Sequence, residues 1–344
     1  MLFPDLVPSG LVGIARLAAG SEVLEAKRRV EYRELETRRF IGRASGTRMP
    51  FAWTINPYRG CEFGCRYCYA RYTHEFMELR ETDQFERLIF AKHFDAAAFR
   101  QELKRIPRTE SIAIGTATDP YQPAERRFGI TRRILEVFAD ECGRKLSITS
   151  KSDLVARDTD LLSLIAKRNV VQIFETITTT DEDLARTLEP YAPRPALRVE
   201  CVRKLAGAGL RVAVGASPVM PLINDSHASL SAVAQAAADA GAVYLMAQVL
   251  FLQPCAQKAF FPTLEERFPH LIRRYRDRYG RRPYLEGPYP AMLAGRVREI
   301  RQHYGLTQKP SDFDSPHWTE ESQLSLFDDL PECTPGVGHC ADEH

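Results

Sequence analysis

Short apolar runs rich in β-branched residues alternate with longer segments of helical periodicity through the middle of the chain. The apolar runs predict strands at residues 51–55, 111–117, 145–149, 170–178, 211–216 and 243–249. The segments between them predict helices at residues 95–105, 131–142, 159–168, 182–188, 195–208 and 230–240, with Thr131 and either Asp181 or Thr180 as helix caps. Strands that are apolar on both faces are typical of a parallel sheet covered by helices. The pattern therefore predicts an α/β fold, an incomplete (β/α)6 barrel of the TIM type.

The flanks of this core differ from it in composition. Residues 1–44 form an N-terminal extension of mixed basic and acidic character, and residues 45–262 form the predicted barrel core. Residues 263–305 are predicted to be a helical extension, and the polar, acidic residues 306–344 a disordered tail. In the helical extension, arginines alternate with Tyr275, Tyr279 and Tyr284. A solvated helix face with core contacts is preferred here over a nucleic-acid surface.

Composition and charge narrow the classes of protein. The chain has 344 residues, of which 44% are hydrophobic, so it is long enough to bury a sizeable core. A formal net charge of +2 means that any affinity for nucleic acid must come from local patches. The sequence has no run of about 20 apolar residues and no basic segment before the apolar N-terminus, so we expect neither a membrane span nor a signal peptide. Eight cysteines without a disulfide pattern favour the cytoplasm.

The most distinctive motif contains three closely spaced cysteines. Cys61, Cys65 and Cys68 have the spacing C-x3-C-x2-C, and Tyr67 precedes the last of them. Three thiolates can bind one metal centre and leave a coordination position open. Two alternatives compete with such a reactive centre. With His74, the cysteines could form a Cys3His zinc site in a non-catalytic nucleic-acid-binding module. They could also be small buried hydrophobes, which the charged residues around them make a poor interpretation.

The cysteine spacing with Tyr67 resembles the radical S-adenosylmethionine (SAM) superfamily. The resemblance is narrower, to the spore photoproduct lyase-like branch, when residues 56–60, 69–71 and 74–75 are included. It extends over about residues 43–279. It implies that the three cysteines hold a [4Fe-4S] cluster with SAM on its free iron. An external reductant of the flavodoxin or ferredoxin type would supply one electron. The implied activity is reductive cleavage of SAM to a 5′-deoxyadenosyl radical, and the branch implies a link to DNA repair.

Polar residues at the predicted strand ends are candidates for binding SAM, because ligands gather at the carboxyl ends of parallel strands. The resemblance and the residue chemistry together give these candidates: Tyr67, Thr116, Thr118, Asp119, Lys151 and Thr176. Asp119 would bind the ammonium group of SAM, and Lys151 its carboxylate. Structural roles remain open, since Asp119 could cap a turn and Lys151 could pair with Asp153 or Asp158.

One departure from the branch concerns the hydrogen donor. Members that carry out the lyase reaction have a donor cysteine in the second-strand segment, where this chain has Thr116 and Thr118. The lyase reaction is therefore in doubt. Cys255, just after the sixth strand, is the candidate donor to test, whereas Cys142 and Cys201 are expected in the core. Damaged DNA, RNA, another polymer and a small molecule all remain open as substrates.

A short apolar segment interrupts the polar tail. Gln323, Leu324, Leu326 and Phe327 lie in the sequence QLSLF, which resembles the pentapeptide that binds the bacterial sliding clamp. The alternative is an amphipathic segment that folds back onto the barrel. Clamp binding would bring the protein to DNA.

Overall fold

The computed structural model describes residues 11–21, 23–26, 30–44 and 50–309 of the chain. Its strands are β1 (Val23–Ala26), β2 (Glu31–Leu35), β3 (Ile41–Arg43), β4 (Trp53–Ile55), β5 (Tyr58–Arg59), β6 (Leu88–Lys92), β7 (Ser111–Ile114), β8 (Lys145–Ser150), β9 (Val170–Thr176), β10 (Val212–Val219) and β11 (Tyr244–Val249). Its helices are α1 (Gly13–Ala19), α2 (Tyr72–Glu75), α3 (Gln84–Arg87), α4 (Ala96–Lys104), α5 (Glu125–Phe128), α6 (Ile130–Ala139), α7 (Thr159–Ala166), α8 (Glu182–Leu188), α9 (Pro195–Gly207), α10 (His227–Asp239), α11 (Pro254–Arg267), α12 (Ile272–Tyr279) and α13 (Tyr289–His303).

The main sheet confirms the predicted fold class. Seven strands are ordered β11-β10-β9-β8-β7-β4-β3. All neighbours from β4 to β11 pair in parallel, and β3 adds to β4 in the antiparallel direction. The six parallel strands are those that the apolar runs predict, and helices join them in chain order. The carboxyl ends of these strands therefore lie at one edge of the sheet.

A second, smaller sheet was not predicted. Its order is β1-β2-β6-β5, and it is built from the N-terminal extension and the segment after the cysteine motif. In β2, Tyr32 and Leu35 are fully buried, but the charged residues between them hide the strand in the sequence. β5 has two residues and pairs antiparallel with β6 just before the first cysteine, so this small sheet holds the start of the cysteine motif.

One predicted helix cap is wrong and one is confirmed. Thr131 lies inside α6, because the carboxylate of the buried Glu125 accepts the N–H groups of Thr131 at 2.8 Å and Arg132 at 3.1 Å. The cap therefore comes from a residue before the helix rather than from the threonine. Asp181 caps α8 as predicted and accepts the N–H groups of Asp183 and Leu184, each at 3.0 Å.

The C-terminal helices pack over the cysteine motif. Tyr275 and Tyr279 of α12 are buried in an apolar cluster that also contains Cys61, Cys65 and Tyr67. This confirms the preferred interpretation of the two tyrosines as core residues. The predicted clamp-binding segment and two further cysteines, Cys333 and Cys340, lie outside the described residues. The domain boundaries stay predictions. In the part of the chain that the structure describes, no helix has the length and apolar character of a membrane span.

Candidate active site

The cysteine loop, residues 60–68, follows β5 and is anchored at its first residues. The Cys61 N–H donates to the Phe85 carbonyl oxygen at 2.9 Å. Gly60 has φ +80°, and a Cβ there would lie 2.7 Å from the Leu88 carbonyl oxygen and 2.8 Å from that of Phe85. Only glycine fits, because both the backbone conformation and the close approach exclude a side chain. The loop is thereby held against the small sheet.

The turn after β7 also holds this part of the loop. Thr118 Oγ1 donates to the Gly60 carbonyl oxygen at 2.6 Å, and Gln122 Nε2 donates to the same oxygen at 3.0 Å. The Glu62 N–H donates to Gln122 Oε1 at 2.9 Å. Gln122 is fully buried, so these contacts satisfy polar groups that water does not reach. Sequence reasoning missed Gln122, although it belongs to the polar turn that contains the candidate SAM ligands.

Arg71 fixes the middle of the loop. Its guanidinium group donates to the Cys65 carbonyl oxygen at 3.2 Å and to the Glu86 carboxylate at 2.7 Å. Both members of this ion pair are buried. Loss of either partner would leave the other charge unpaired away from water, which destabilises strongly. Arg71 therefore connects the loop rigidly to α3.

The three thiols lie in apolar surroundings. Cys61 and Cys65 are buried and Cys68 is partly buried, and all three pack in the cluster with Tyr67 and the C-terminal helices. Burial raises the pKa of all three thiols, that of Cys65 to about 12. They are therefore protonated at neutral pH until a metal centre displaces the protons.

The three thiols and His74 are not gathered as one compact ligand set. Among the described residues, the group of three or more potential ligands whose atoms all lie within 4.8 Å of one another is Glu34, Glu36 and His93, at the surface. Exposed acidic groups of this kind are common without a metal ion.

His74 is a core residue. Its Nε2 lies 3.0 Å from the Leu88 carbonyl oxygen, and its ring packs against Phe85 and Phe90. Burial lowers the pKa of His74 to about 4, so the imidazole is neutral at physiological pH. The Cys3His alternative is therefore not favoured.

Tyr67, which precedes the third cysteine, joins the loop to a buried charge network. Its hydroxyl contacts the Glu189 carboxylate and lies 3.2 Å from Thr178 Oγ1. Glu189 pairs with Arg198 at 2.6 Å. Burial alone would raise the pKa of Glu189, but the positive charges of Arg198 and Lys151 hold it below its usual range. The sequence carries no signal for Glu189 or Arg198, which lie far from the motif along the chain.

Lys151 presents an ammonium group to this site. Its Nζ lies 5.7 Å from the centroid of the Tyr67 ring. Burial opposes its charge, but Cys65 and Glu189 raise its pKa above the ordinary value. Within the described residues, no carboxylate oxygen lies within 4.0 Å of Lys151 Nζ, and Asp158 pairs with two arginines instead. The alternative pairing of Lys151 with an aspartate is therefore not observed.

Asp119 has a structural role. Its carboxylate accepts the Tyr121 N–H at 2.9 Å, the Ser150 hydroxyl at 2.8 Å and the Lys151 N–H at 2.7 Å. It thus caps the turn after β7 and ties that turn to the end of β8. Because three donors already occupy the carboxylate, Asp119 positions the Lys151 backbone whether or not it also contacts a ligand.

The remaining predicted residues differ in their surroundings. Thr116 Oγ1 accepts from Asn56 Nδ2 at 3.1 Å and so joins the ends of β7 and β4. Thr176, at the end of β9, is buried beside Gly215 of β10. Cys255 lies in the first turn of α11, and its Sγ is 3.7 Å from the Tyr69 carbonyl oxygen. The structure thus brings Cys255 against the residues that follow the cysteine loop.

The chain belongs to the radical SAM superfamily. The model of that superfamily matches residues 55–231, from the end of β4 into α10, and the match includes the whole cysteine loop. The family implies a [4Fe-4S] cluster and SAM as cofactors. The buried thiols, their spacing and the unpaired ammonium group of Lys151 fit that pair of groups.

Similar proteins agree with this family. The uncharacterized protein Rv2578c of Mycobacterium tuberculosis (strain H37Rv) is 36% identical over 259 residues, which cover 75% of this chain and 76% of the relative. The uncharacterized protein MJ0683 of Methanocaldococcus jannaschii is 28% identical over 184 residues, which cover 52% of this chain and 65% of the relative.

Solved structures of spore photoproduct lyase share the fold. The lyase complexed with dinucleoside spore photoproduct matches with a TM-score of 0.61 and 15% identity, over 88% of this chain and 85% of that chain. A variant with bound AdoMet and dinucleoside spore photoproduct matches with a TM-score of 0.57 and 13% identity, over 88% and 85%. The predicted resemblance to this branch is thus confirmed at the level of the fold.

Replacing any cysteine of the loop should remove the cluster. We expect anaerobically reconstituted Cys65→Ala to lose the broad visible absorption of the wild-type protein, because two thiolates are too few to hold the centre. Absorption spectra with iron and sulfide analysis measure this. Cys142→Ala, at a buried cysteine outside the loop, is the matched control and should keep the wild-type spectrum. A full, SAM-responsive cluster in Cys65→Ala would show that the assignment of ligands is wrong.

Replacing Lys151 should weaken SAM binding. If Lys151 binds the SAM carboxylate as predicted, Lys151→Ala removes a charge-assisted contact of a kind worth ~1.5–3 kcal/mol, so we expect the affinity to fall at least about tenfold. Anaerobic calorimetry on the reconstituted protein measures the affinity. Lys145→Ala, at the other end of β8, is the control and should bind as the wild type does. Unchanged SAM binding by Lys151→Ala would remove this lysine from the site.

Proposed function

We propose that this protein is a radical SAM enzyme in which Cys61, Cys65 and Cys68 hold a [4Fe-4S] cluster and SAM binds across the carboxyl ends of the barrel strands. When bound, these groups supply reductive cleavage of SAM to a 5′-deoxyadenosyl radical, with one electron from an external flavodoxin or ferredoxin. The observation that carries the proposal is the three-thiol loop itself, largely buried at the carboxyl end of the first barrel strand.

The chain's own residues would bind and orient SAM. Lys151 offers a cation to the carboxylate, Tyr67 an aromatic ring to the adenine, and Thr176 a hydroxyl group on the adjacent strand. Thr118 and Asp119 contribute by holding the cysteine loop and the Lys151 backbone in place. Helices α11 and α12 cover the loop with apolar side chains, which excludes water from the reacting groups.

A line of aromatic rings supports a nucleic acid as the substrate. We call Tyr69, Phe251 and Tyr284 the aromatic platform. The Phe251 and Tyr284 rings stack with centroids 4.4 Å apart, and Tyr69 lies 6.1 Å from Phe251. Tyr284 is 56% exposed and Tyr69 40% exposed. The Leu252 N–H donates to the Pro283 carbonyl oxygen at 2.9 Å, which fixes Tyr284 over Phe251. Exposed rings held in this way can stack an unpaired base.

Arginines of α12 and of the segment between α12 and Tyr284 supply the complementary charge. Arg273, Arg274, Arg278 and Arg281 are exposed, and none has an ion-pair partner within 4.0 Å among the residues described. Free guanidinium groups beside stacking rings bind the phosphates of single strands with little sequence preference. The structure of spore photoproduct lyase with a dinucleoside spore photoproduct supports the same class of substrate here. We therefore propose repair or modification of a nucleic acid with an unstacked base.

Cys255 stays the candidate hydrogen donor. Burial, and then the nearby Glu75, raise the pKa of its thiol, which keeps the S–H bond that donation of a hydrogen atom requires. Its Sγ lies beside the Tyr69 backbone, at the inner end of the aromatic platform. Thr116 and Thr118 have no thiol, and their hydroxyl groups form hydrogen bonds with Asn56 and with the Gly60 carbonyl oxygen. For this reason the lyase reaction itself is not part of the proposal.

A reducing cytoplasm suits this chemistry. The six cysteines that the structure describes are all free, and a thiolate-bound cluster requires reduced ligands. The zinc-stabilised binding module is the weaker alternative because His74, the fourth ligand that it needs, contacts the Leu88 carbonyl oxygen and packs against Phe85 and Phe90.

The proposed activity predicts 5′-deoxyadenosine as a product. We expect the reconstituted protein, with SAM and a one-electron reductant under anaerobic conditions, to release 5′-deoxyadenosine and methionine. Liquid chromatography with mass spectrometry measures both, and the same reaction with ultraviolet-damaged DNA reports any change in the DNA. The Cys65→Ala protein is the control and should form no product. Absence of 5′-deoxyadenosine from a protein with a full complement of iron and sulfide would contradict the proposed activity.

The aromatic platform predicts weaker binding of single strands when Tyr284 is removed. Stacking contributes about 1–3 kcal/mol per base, so Tyr284→Ala should weaken binding of a fluorescent single-stranded DNA oligonucleotide at least about fivefold. Fluorescence anisotropy measures the affinity. Leu164→Ala, at an exposed apolar residue of α7, is the control. An unaffected affinity in Tyr284→Ala, or no binding by the wild type at high micromolar protein, would contradict the nucleic-acid proposal. The proposed cluster would not be affected by either result.

A further inference from the structure

Several contacts join the cysteine loop to the last residue of α8 and the residues after it. The proposed chemistry assigns these contacts no role. We call residues 188–191 the clasp. The Arg66 N–H donates to the Leu188 carbonyl oxygen at 2.9 Å, and the Tyr191 N–H donates to the Phe63 carbonyl oxygen at 3.3 Å. Between these two backbone contacts, the Glu189 side chain reaches the Tyr67 hydroxyl. The clasp therefore holds the part of the loop that contains the second cysteine and leads to the third.

Glu189 divides its carboxylate between two buried partners. One oxygen receives the Tyr67 hydroxyl and the Thr178 hydroxyl, the latter at 2.6 Å. The other oxygen lies 2.6 Å from the Arg198 guanidinium group. Arg198 also donates to the Thr176 carbonyl oxygen at 3.1 Å. The network thus ties the cysteine loop to the end of β9, where SAM is proposed to bind.

Because this network is buried, its ion pair is expected to add little to the stability of the fold. Glu189 is 2% exposed and Arg198 1% exposed. A buried ion pair is often no more stabilising than apolar residues of the same size, because both charges lose their hydration. A buried pair of this kind therefore suggests another role, in which it fixes the position of a neighbouring side chain or sets the local charge. Here the geometry is that of Tyr67, and the negative charge of Glu189 offsets two cations close to it, Lys151 and Arg198.

We propose that Glu189 is a positioning residue of the cysteine loop, which fixes the Tyr67 ring for SAM through its hydrogen bond and keeps the cluster harder to reduce through its charge. The inference rests on the proposed cluster. Its two parts can be tested separately. Tyr67→Phe removes the hydrogen bond and keeps the charge of Glu189, whereas Glu189→Gln removes the charge and keeps an acceptor oxygen for Tyr67.

Tyr67→Phe tests the hydrogen bond. The substitution keeps the ring and every charge, so the cluster should load fully and keep its reduction potential. The ring loses its fixed orientation, because the hydrogen bond from its hydroxyl to the ionised Glu189 carboxylate is gone. We therefore expect the SAM affinity to fall about threefold to tenfold. Anaerobic calorimetry measures the affinity, and a redox titration followed by electron paramagnetic resonance measures the potential.

Glu189→Gln tests the charge. The amide keeps an acceptor oxygen for Tyr67 and removes the negative charge, which leaves Lys151 and Arg198 uncompensated. We expect a more positive reduction potential than in the wild type and a smaller loss of SAM affinity than in Tyr67→Phe. Glu182→Gln, at an exposed residue of α8, the helix that leads into the clasp, is the matched control and should change neither quantity.

The outcomes distinguish this inference from the proposed function. Wild-type SAM affinity in an iron-loaded Tyr67→Phe protein would overturn the positioning role, and this variant decides alone if Glu189→Gln does not fold. A wild-type potential in folded Glu189→Gln would overturn the role of the charge. A wild-type protein that takes up no iron and sulfide would instead overturn the proposed function, and with it this inference.

Discussion

The backbone of the cysteine loop must find hydrogen-bond partners inside an apolar cluster, and those partners come from several separate elements of the fold. The Gly60 carbonyl oxygen alone receives two buried donors, Thr118 and Gln122, from the turn after β7. Arg71 donates to the Cys65 carbonyl oxygen. The clasp forms backbone hydrogen bonds with Phe63 and Arg66, on either side of Cys65. Because a buried polar group without a partner costs ~1–3 kcal/mol, each contact also fixes the element that supplies it. The loop therefore organises the mouth of the barrel as much as the barrel supports the loop.

The sequence predicted the barrel and the position of the cysteines well, for a physical reason. Strands buried on both faces must be apolar throughout, and they alternate with amphipathic helices, so β7–β11 leave a clear pattern. The cysteines are recognised because their spacing along the chain is short and no other arrangement places three thiols together. Lys151 was also found from local information, since it directly follows a strand on the side where ligands gather.

The parts that were missed depend on contacts between distant residues. β2 was hidden because Arg33 and Glu34 separate Tyr32 from Leu35, so the strand shows no alternation of apolar and polar residues. The cap of α6 was misassigned because Glu125 acts from outside the helix. Glu189 and Arg198 cannot be inferred from the sequence, since their importance comes from lying beside Tyr67 in space, more than a hundred residues away along the chain. For Asp119 the sequence left a SAM contact and a turn cap open, and the three donors seen in the structure establish the turn cap.

The central claim is that three thiolates hold an iron–sulfur cluster with a free position for SAM. Electron paramagnetic resonance of the anaerobically reconstituted, dithionite-reduced full-length protein tests it most directly, with spectra recorded before and after SAM is added. The account predicts a signal from a reduced [4Fe-4S] cluster whose shape changes when SAM is present, because SAM binds the iron that no cysteine occupies. A colourless protein with stoichiometric zinc, or a cluster signal that SAM leaves unchanged, would contradict the account.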